Sequence, residues 1–260
     1  MIPHRSTLCV NPLFLVVLAL LILLLPGCFH SGSGGDGTSN ANPTGYYTGT
    51  ASVNTGAGGA LAVNALQVMV DGNRIRMLDV DNMLVYDGTL SITDNAFTAE
   101  FTLYTDGGNP VMLSASGMIT AGSSITGTLT GTGAGSGTFN LLYAATNDQA
   151  AAIASTWLGA GGGFDEFGFT IDAAMGSLVH KTTAGSGQLF DTCKMNGTIT
   201  SVSNTRLYFV DVDLTDCNDL VVNGTYTGLT TTRDEDATDD RLVFIVSDGR
   251  YTLSGEFNID

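Results

Sequence analysis

The chain has 260 residues, with nine Lys and Arg against 25 Asp and Glu and a formal net charge of -16. That balance excludes nucleic-acid partners and docking on anionic lipid by a basic patch, because both need clustered cations. With 34 glycines and only 13% charged residues, the chain suits short strands and tight turns, so the expected class is all-β.

The first element is an uninterrupted apolar run from Leu13 to Leu25. It is shorter than the roughly 20 residues that a spanning helix needs. Arg5 precedes it, and the exit reads Leu25-Pro26-Gly27-Cys28. A basic start, a short apolar core and a small-residue exit describe a secretory signal. The exit resembles the bacterial lipobox, with Pro26 in place of the usual small residue. The resemblance implies a signal peptide over 1–27 that is removed, and a lipidated N-terminus at Cys28. In lipoproteins of the enteric type an Asp after the lipidated Cys holds the protein at the inner membrane. Phe29 stands there instead, which points to the outer membrane. Residues 28–44 are rich in Gly, Ser, Asn and Thr and read as a flexible tether.

From Gly45 onward strand follows strand, which suggests two antiparallel β-meander modules, barrel-like or sandwich, at 45–145 and 157–260. "QVMVDGNRIRML" reads as a hairpin with Asp71-Gly72 at its tip. "MLVYDGTLSI" suggests a second at Asp87-Gly88, and "VFIVSDGRYTLSG" a third at Asp248-Gly249. In "AFTAEFTLY", Phe97, Ala99, Phe101 and Leu103 share one face, while Thr98, Glu100 and Thr102 share the other. Between the modules Thr146 and Gln149 form a capping box before an alanine run, so a short helix is expected over 146–156. The modules open alike, "GYYTGT" and "STWLGA", each with an aromatic two residues before a Gly, which suggests a duplication. This opening and the meander behind it resemble the small lipocalin-like barrels of bacterial lipoproteins. That likeness implies a ligand cavity or a partner-binding surface rather than catalysis, and it carries over no binding residue.

Cys9 leaves with the signal and Cys28 takes the lipid, so Cys193 and Cys217 are expected to pair in an oxidising compartment. If "CKMNGTIT" and "RLYFVDVDLTDC" form one hairpin turning near Asn204, a common buried face sets Ile199 against Val210 and Met195 against Leu214. That register places Cys193 opposite Asp216. A bond to Cys217 therefore demands one extra residue, a bulge near Thr215-Asp216.

Chemistry is sparse. His180 is the single His of the folded body, and no nucleophile elbow, phosphate loop or zinc motif occurs. The acidic stretch "RDEDATDDR" offers Asp234, Asp236, Asp239 and Asp240 as oxygen ligands for Ca²⁺, although a solvated hairpin tip is the plainer reading. Asp211 and Asp213 alternate with Val210, Val212 and Leu214, so they share an outer face as a candidate acid and base. No enzyme and no cofactor are expected. The expected function is that of a cell-envelope protein, joined to the membrane by its N-terminal lipid, that binds a ligand or presents a surface. A lipocalin-like carrier of a small apolar ligand and a carboxylate-dependent envelope hydrolase are the alternatives.

Overall fold

A computed structural model describes residues 39–54, 60–104, 110–131, 135–144, 153–161, 164–172, 177–180, 193–217, 219–234 and 240–259. Among these residues sixteen strands fall into two groups of eight. The first holds β1 (Gly45–Asn54), β2 (Ala60–Asp71), β3 (Arg74–Asp79), β4 (Leu84–Thr93), β5 (Ala96–Tyr104), β6 (Val111–Thr120), β7 (Ser124–Gly131) and β8 (Gly135–Tyr143). The second holds β9 (Thr156–Gly161), β10 (Phe164–Asp172), β11 (Ser177–His180), β12 (Lys194–Ser201), β13 (Tyr208–Thr215), β14 (Gly224–Arg233), β15 (Arg241–Ser247) and β16 (Thr252–Ile259). Each strand pairs antiparallel with the next, and β1 meets β8 along eight residue pairs to close the first barrel. The second sheet curls in the same order. Its circuit closes through β9, which pairs with β10 and, by only two residue pairs, with β16.

The interior of the first barrel is built by alternation. Phe97, Ala99, Phe101 and Leu103 are buried, as the period of two requires, while Thr98 and Glu100 are exposed. Glycine shapes the same interior. Phe101 pairs with Gly88, Phe97 with Gly117 and Phe139 with Gly127. A Cβ at Gly88, Gly117 or Gly127 would lie within 3 Å of the ring opposite it. Each ring therefore fills the volume that its partner leaves, which accounts for part of the high glycine content.

That packing corrects one expectation. Asp87-Gly88 is not a hairpin tip but the middle of β4, paired on both sides. The other two tips are turns, with Gly72 at φ 59° and Gly249 at φ 87°. The connecting helix expected over 146–156 falls mostly outside the described residues, and the part that is described is not helical. Residues 145–152 lie outside the described residues, Ile153 and Ala154 are irregular, and Thr156 already begins β9.

The two opening strands are built alike. Tyr47 is fully buried and its hydroxyl donates to the Pro43 carbonyl at 2.8 Å. Trp157 is fully buried and its Nε1 donates to the Ile153 carbonyl at 3.0 Å. Two residues on, Gly49 and Gly159 let each barrel's last strand come close: an added Cβ would lie 2.9 Å from Leu141 Cα and 3.0 Å from Phe257 Cα. Signal residues 1–27 and the lipidation site Cys28 lie outside the described residues. The last six residues assigned to the tether are docked on the first barrel. Asn40 Nδ2 donates to the Ile92 carbonyl at 2.9 Å, and the Asp94 amide donates to Asn40 Oδ1 at 2.9 Å.

The barrels pack side by side. β15 is buried on both faces: Leu242, Phe244 and Val246 fill the second barrel, while Val243 and Ile245 join Leu207 and Leu229 against Tyr46, Met69, Leu78, Val85 and Tyr104 of the first. A strand that reads as a continuous apolar run, "RLVFIVS", is what a doubly covered strand requires.

Candidate binding surface

Four features could carry function: the β12–β13 hairpin with its disulfide, the acidic groups, the seam between the barrels and the free wall of the first barrel. Cys193 and Cys217 are bonded, with Cα atoms 4.1 Å apart. The ladder sets Ile199 against Val210 and Met195 against Leu214, as the apolar face demands, and ends at Lys194 opposite Thr215. The paired strands carry no register shift, so the bulge expected near Thr215-Asp216 is not part of the ladder; Asp216, just past its end at φ 58°, is the residue that sets Cys217 rather than itself beside Cys193. Its carboxylate meets Lys194 Nζ at 2.7 Å on an exposed surface. The Cys217 amide donates to Asn223 Oδ1 at 3.1 Å. Both sulfurs are buried, so this is a structural staple rather than a reactive site.

Of the proposed Ca²⁺ ligands, Asp234 and Asp240 are described, whereas Asp236 and Asp239 lie outside the described residues. Among the described residues, no group of three His, Cys, Asp or Glu side chains is placed to hold a metal ion. Asp211 and Asp213 share the outer face of β13 and are exposed. Asp213 Oδ1 accepts from Thr225 Oγ1 at 2.6 Å. They stand on a convex wall. His180 is in β11, opposite Phe169.

The seam holds polar groups, of which Arg76 and Arg74 reach from the first barrel to the second, while Tyr46–Gln67 and Arg233–Glu256 each pair within one barrel. Arg76 is 5% exposed, and its Nη2 lies 3.3 Å from Asp87 Oδ2 and 3.3 Å from the Thr227 carbonyl of the second barrel. Burial pulls its guanidinium pKa below the ordinary value, against the opposing pull of Asp87. Tyr46 donates to Gln67 Oε1, and its pKa is driven up chiefly by burial. Arg233 grips Glu256 with two bonds, at 3.1 and 3.0 Å. Arg74 lies over the Phe209 ring at 5.8 Å. Sequence reasoning missed this seam, although the unbroken apolar run of β15 was its signal.

The free wall comprises the outward residues of β4 to β8 and β1. The register aligns most of them in three transverse rows, beyond which lie Asp87, Thr102 and Met112 on one side and Thr120, Ser124, Leu142 and Thr48 on the other. The central row runs Ser91, Thr98, Ser116, Thr128, Thr138, Ser52. One flanking row runs Thr93, Ala96, Met118, Thr126, Asn140, Thr50, and the other Thr89, Glu100, Ser114, Thr130, Ser136, Asn54. All but the half-buried Ser114 are exposed. Glu100 is the one charge in these rows, on a chain of net charge -16. The acids are at turns, such as Asp81, Asp94 and Asp248, and on the second barrel's wall at Asp211 and Asp213. Near the rim the wall dips into an open groove of about 610 Å³, lined by Asn54, Glu100, Met112, Leu113, Ser114, Thr130, Gly131, Gly135 and Ser136.

No protein-family model, curated protein or solved structure matches the chain.

Proposed function

We propose that the mature protein is a lipid-anchored cell-envelope module, at the outer membrane, that presents a binding surface and has no enzymatic role. Cys28 carries the lipid, and the Gly- and Ser-rich stretch after it holds the twin barrel away from the bilayer. Two acyl chains or more would anchor such a protein stably, where one would not.

The observation that carries the surface reading is the filling of the first barrel. Tyr47, Phe97, Phe101, Phe139 and Leu141 occupy its interior, and a methyl group added at Gly49, Gly117 or Gly137 would strike the neighbouring strand's backbone. A carrier needs an enclosed space of a few hundred Å³; among the described residues these side chains take up the first barrel's interior, which supports binding on the outside. The carboxylate-hydrolase alternative has less support, since Asp211 and Asp213 sit exposed with no enclosing cleft around them.

Cys28→Ala is the test of the anchor. The variant is expected in the soluble envelope fraction and the wild type in the membrane fraction. A variant that remains in the membrane overturns the lipid anchor. Native mass spectrometry of the mature protein tests the surface reading. A stoichiometric apolar small molecule carried through purification would overturn it in favour of a carrier.

A further inference from the structure

We propose that residues 39–44 are a strap that crosses one mouth of the first barrel and turns that mouth to the bilayer, so that the opposite end of both barrels faces outward. This rests on the lipid anchor at Cys28 and adds how the anchored body stands.

The strap is pinned at both ends. The Ala41 amide donates to the Asp94 carbonyl at 2.7 Å. Asn40 holds the same β4–β5 turn through the Ile92 carbonyl and the Asp94 amide. At the other end Thr44 Oγ1 accepts from the Gly72 amide at 3.0 Å, in the β2–β3 turn. Between these points Pro43 is buried, and Ala41 packs on the first barrel's core. The β4–β5 turn is on the far side of the ring from β1, which has β2, β3 and β4 to one side and β8, β7, β6 and β5 to the other. An eight-stranded ring with strands about 4.8 Å apart and tilted by about 40° is about 16 Å across. Five steps of chain, from Asn40 to Gly45, reach about 17 Å at most. The strap is thus just long enough to cross the mouth.

The crossing fixes where the anchor pulls. The chain toward Cys28 leaves the body at Ser39, beside the β4–β5 turn. Cys28 is eleven steps upstream and can stand at most about 40 Å away. β4 and β5 have ten and nine residues, which at that tilt set the opposite rim about 25 Å from the strap mouth. For that rim to meet the bilayer, residues 28–39 would have to run nearly straight along the wall for most of their reach, at a cost in conformational entropy. The strap mouth meets it with no such demand. Charge does not decide the matter: Asp71 and Asp94 stand at this mouth, so anionic lipid does not attract it.

The second barrel is aligned with the first. Tyr104, at the rim end of β5, lies 3.4 Å from Ser247 at the end of β15. Arg74, at the strap end of β3, lies over Phe209 near the start of β13. The outward face therefore carries the rim groove of the first barrel and the Cys193–Cys217 end of the second, with Leu220 and Val221 exposed beside the disulfide.

The test uses the lipidated protein in phosphatidylcholine vesicles that contain a nitroxide-headgroup lipid. Ser123→Cys, in the β6–β7 turn at the strap mouth, and Thr130→Cys, at the far end of β7, carry a fluorophore one at a time; both positions are exposed. The label at 123 is expected to be quenched at least threefold more than the label at 130. Asn40→Ala with Ala41→Asp frees the strap and extends the reach to about 60 Å. Hydrogen exchange of the amides at 41 and 94 should then speed up at least tenfold, and the difference in quenching should narrow. Should the pair lose its fold by circular dichroism, Asn40→Ala alone reads the same effects. Equal or reversed quenching of the two labels overturns the orientation. Unchanged exchange at 41 and 94, or an unchanged difference in quenching, overturns the strap. Cys28→Ala protein should show no quenching at either label, and quenching there strikes the anchor reading instead.

Discussion

At the scale of single residues, glycine and tyrosine make the sharpest demands. Gly117 faces the interior, where an added Cβ would sit on the Thr126 carbonyl and 2.6 Å from Gly127 Cα. Gly72 has open space but stands at φ 59°, a region that costs an L-residue about 1–2 kcal/mol. Gly224 has open space and no positive φ. Alanine substitutions should therefore rank in that order: about 3 kcal/mol or failure to fold, then about 1 kcal/mol, then near zero, read from urea unfolding midpoints. A Gly117→Ala protein as stable as wild type would show that the strands do not approach so closely. Tyr47 and Tyr86 are both pushed up to about 12, first by burial and then by Tyr143 and Asp79 respectively. Below pH 10 both are protonated whether the chain is folded or not, and their contribution is complete. From pH 10 to 12 the unfolded chain ionises and the folded one does not, so stability falls as pH rises, by about 1.4 kcal/mol per pH unit per tyrosine. Tyr86→Phe should flatten that alkaline slope in urea titrations at stepped pH, and an unchanged slope would place the ring in water.

At the scale of elements, what the sequence disclosed depended on how far each signal reached. The alternation of β5 is local and was readable, as was the β12–β13 register, because Met195, Ile199, Val210 and Leu214 must share a face. Asp87-Gly88 misled because the hairpin cue is local, whereas the reason for Gly88 lies thirteen positions on, in the ring of Phe101. The capping box at Thr146 lies outside the described residues, and Thr156, the last residue of the stretch it was expected to open, is strand. The hydroxyl rows could not be read at all from one strand, since they exist only once six strands take their register. The disulfide tests the element that the sequence read best. It joins residues separated by 24 positions, and closing a loop of that length stabilises by about 3.5 kcal/mol in the chain-entropy model. Replacing both cysteines with Ser should lower stability by about that amount in denaturant unfolding. A loss below about 1 kcal/mol would mean that the 193–217 hairpin is already ordered in the unfolded chain.

At the scale of the whole molecule, the seam decides whether two barrels behave as one. Leu229, Val243 and Ile245 lie on the outside of the second barrel yet are almost fully buried, because the first barrel covers them. Covered surface of that kind couples the barrels, so the mature protein should unfold in a single calorimetric transition. Leu229→Asp with Ile245→Asp places two carboxylates in the seam, where burial without partners is costly. Separated barrels would return both to water, so this variant should show two transitions. Two transitions in the wild type would sink the coupling. Arg76 refines the same argument, because its partners differ in exposure. Its side chain is 6% exposed and that of Asp87 is 22%. Asp87→Ala would leave a buried guanidinium uncompensated, at a cost of about 3 kcal/mol or more. Arg76→Met would leave a carboxylate that water can still reach and would put an apolar stem in the seam, so its cost should stay under about 1 kcal/mol. Equal losses from the two variants would mean that the guanidinium of Arg76 reaches solvent and that the barrels sit less tightly on each other there.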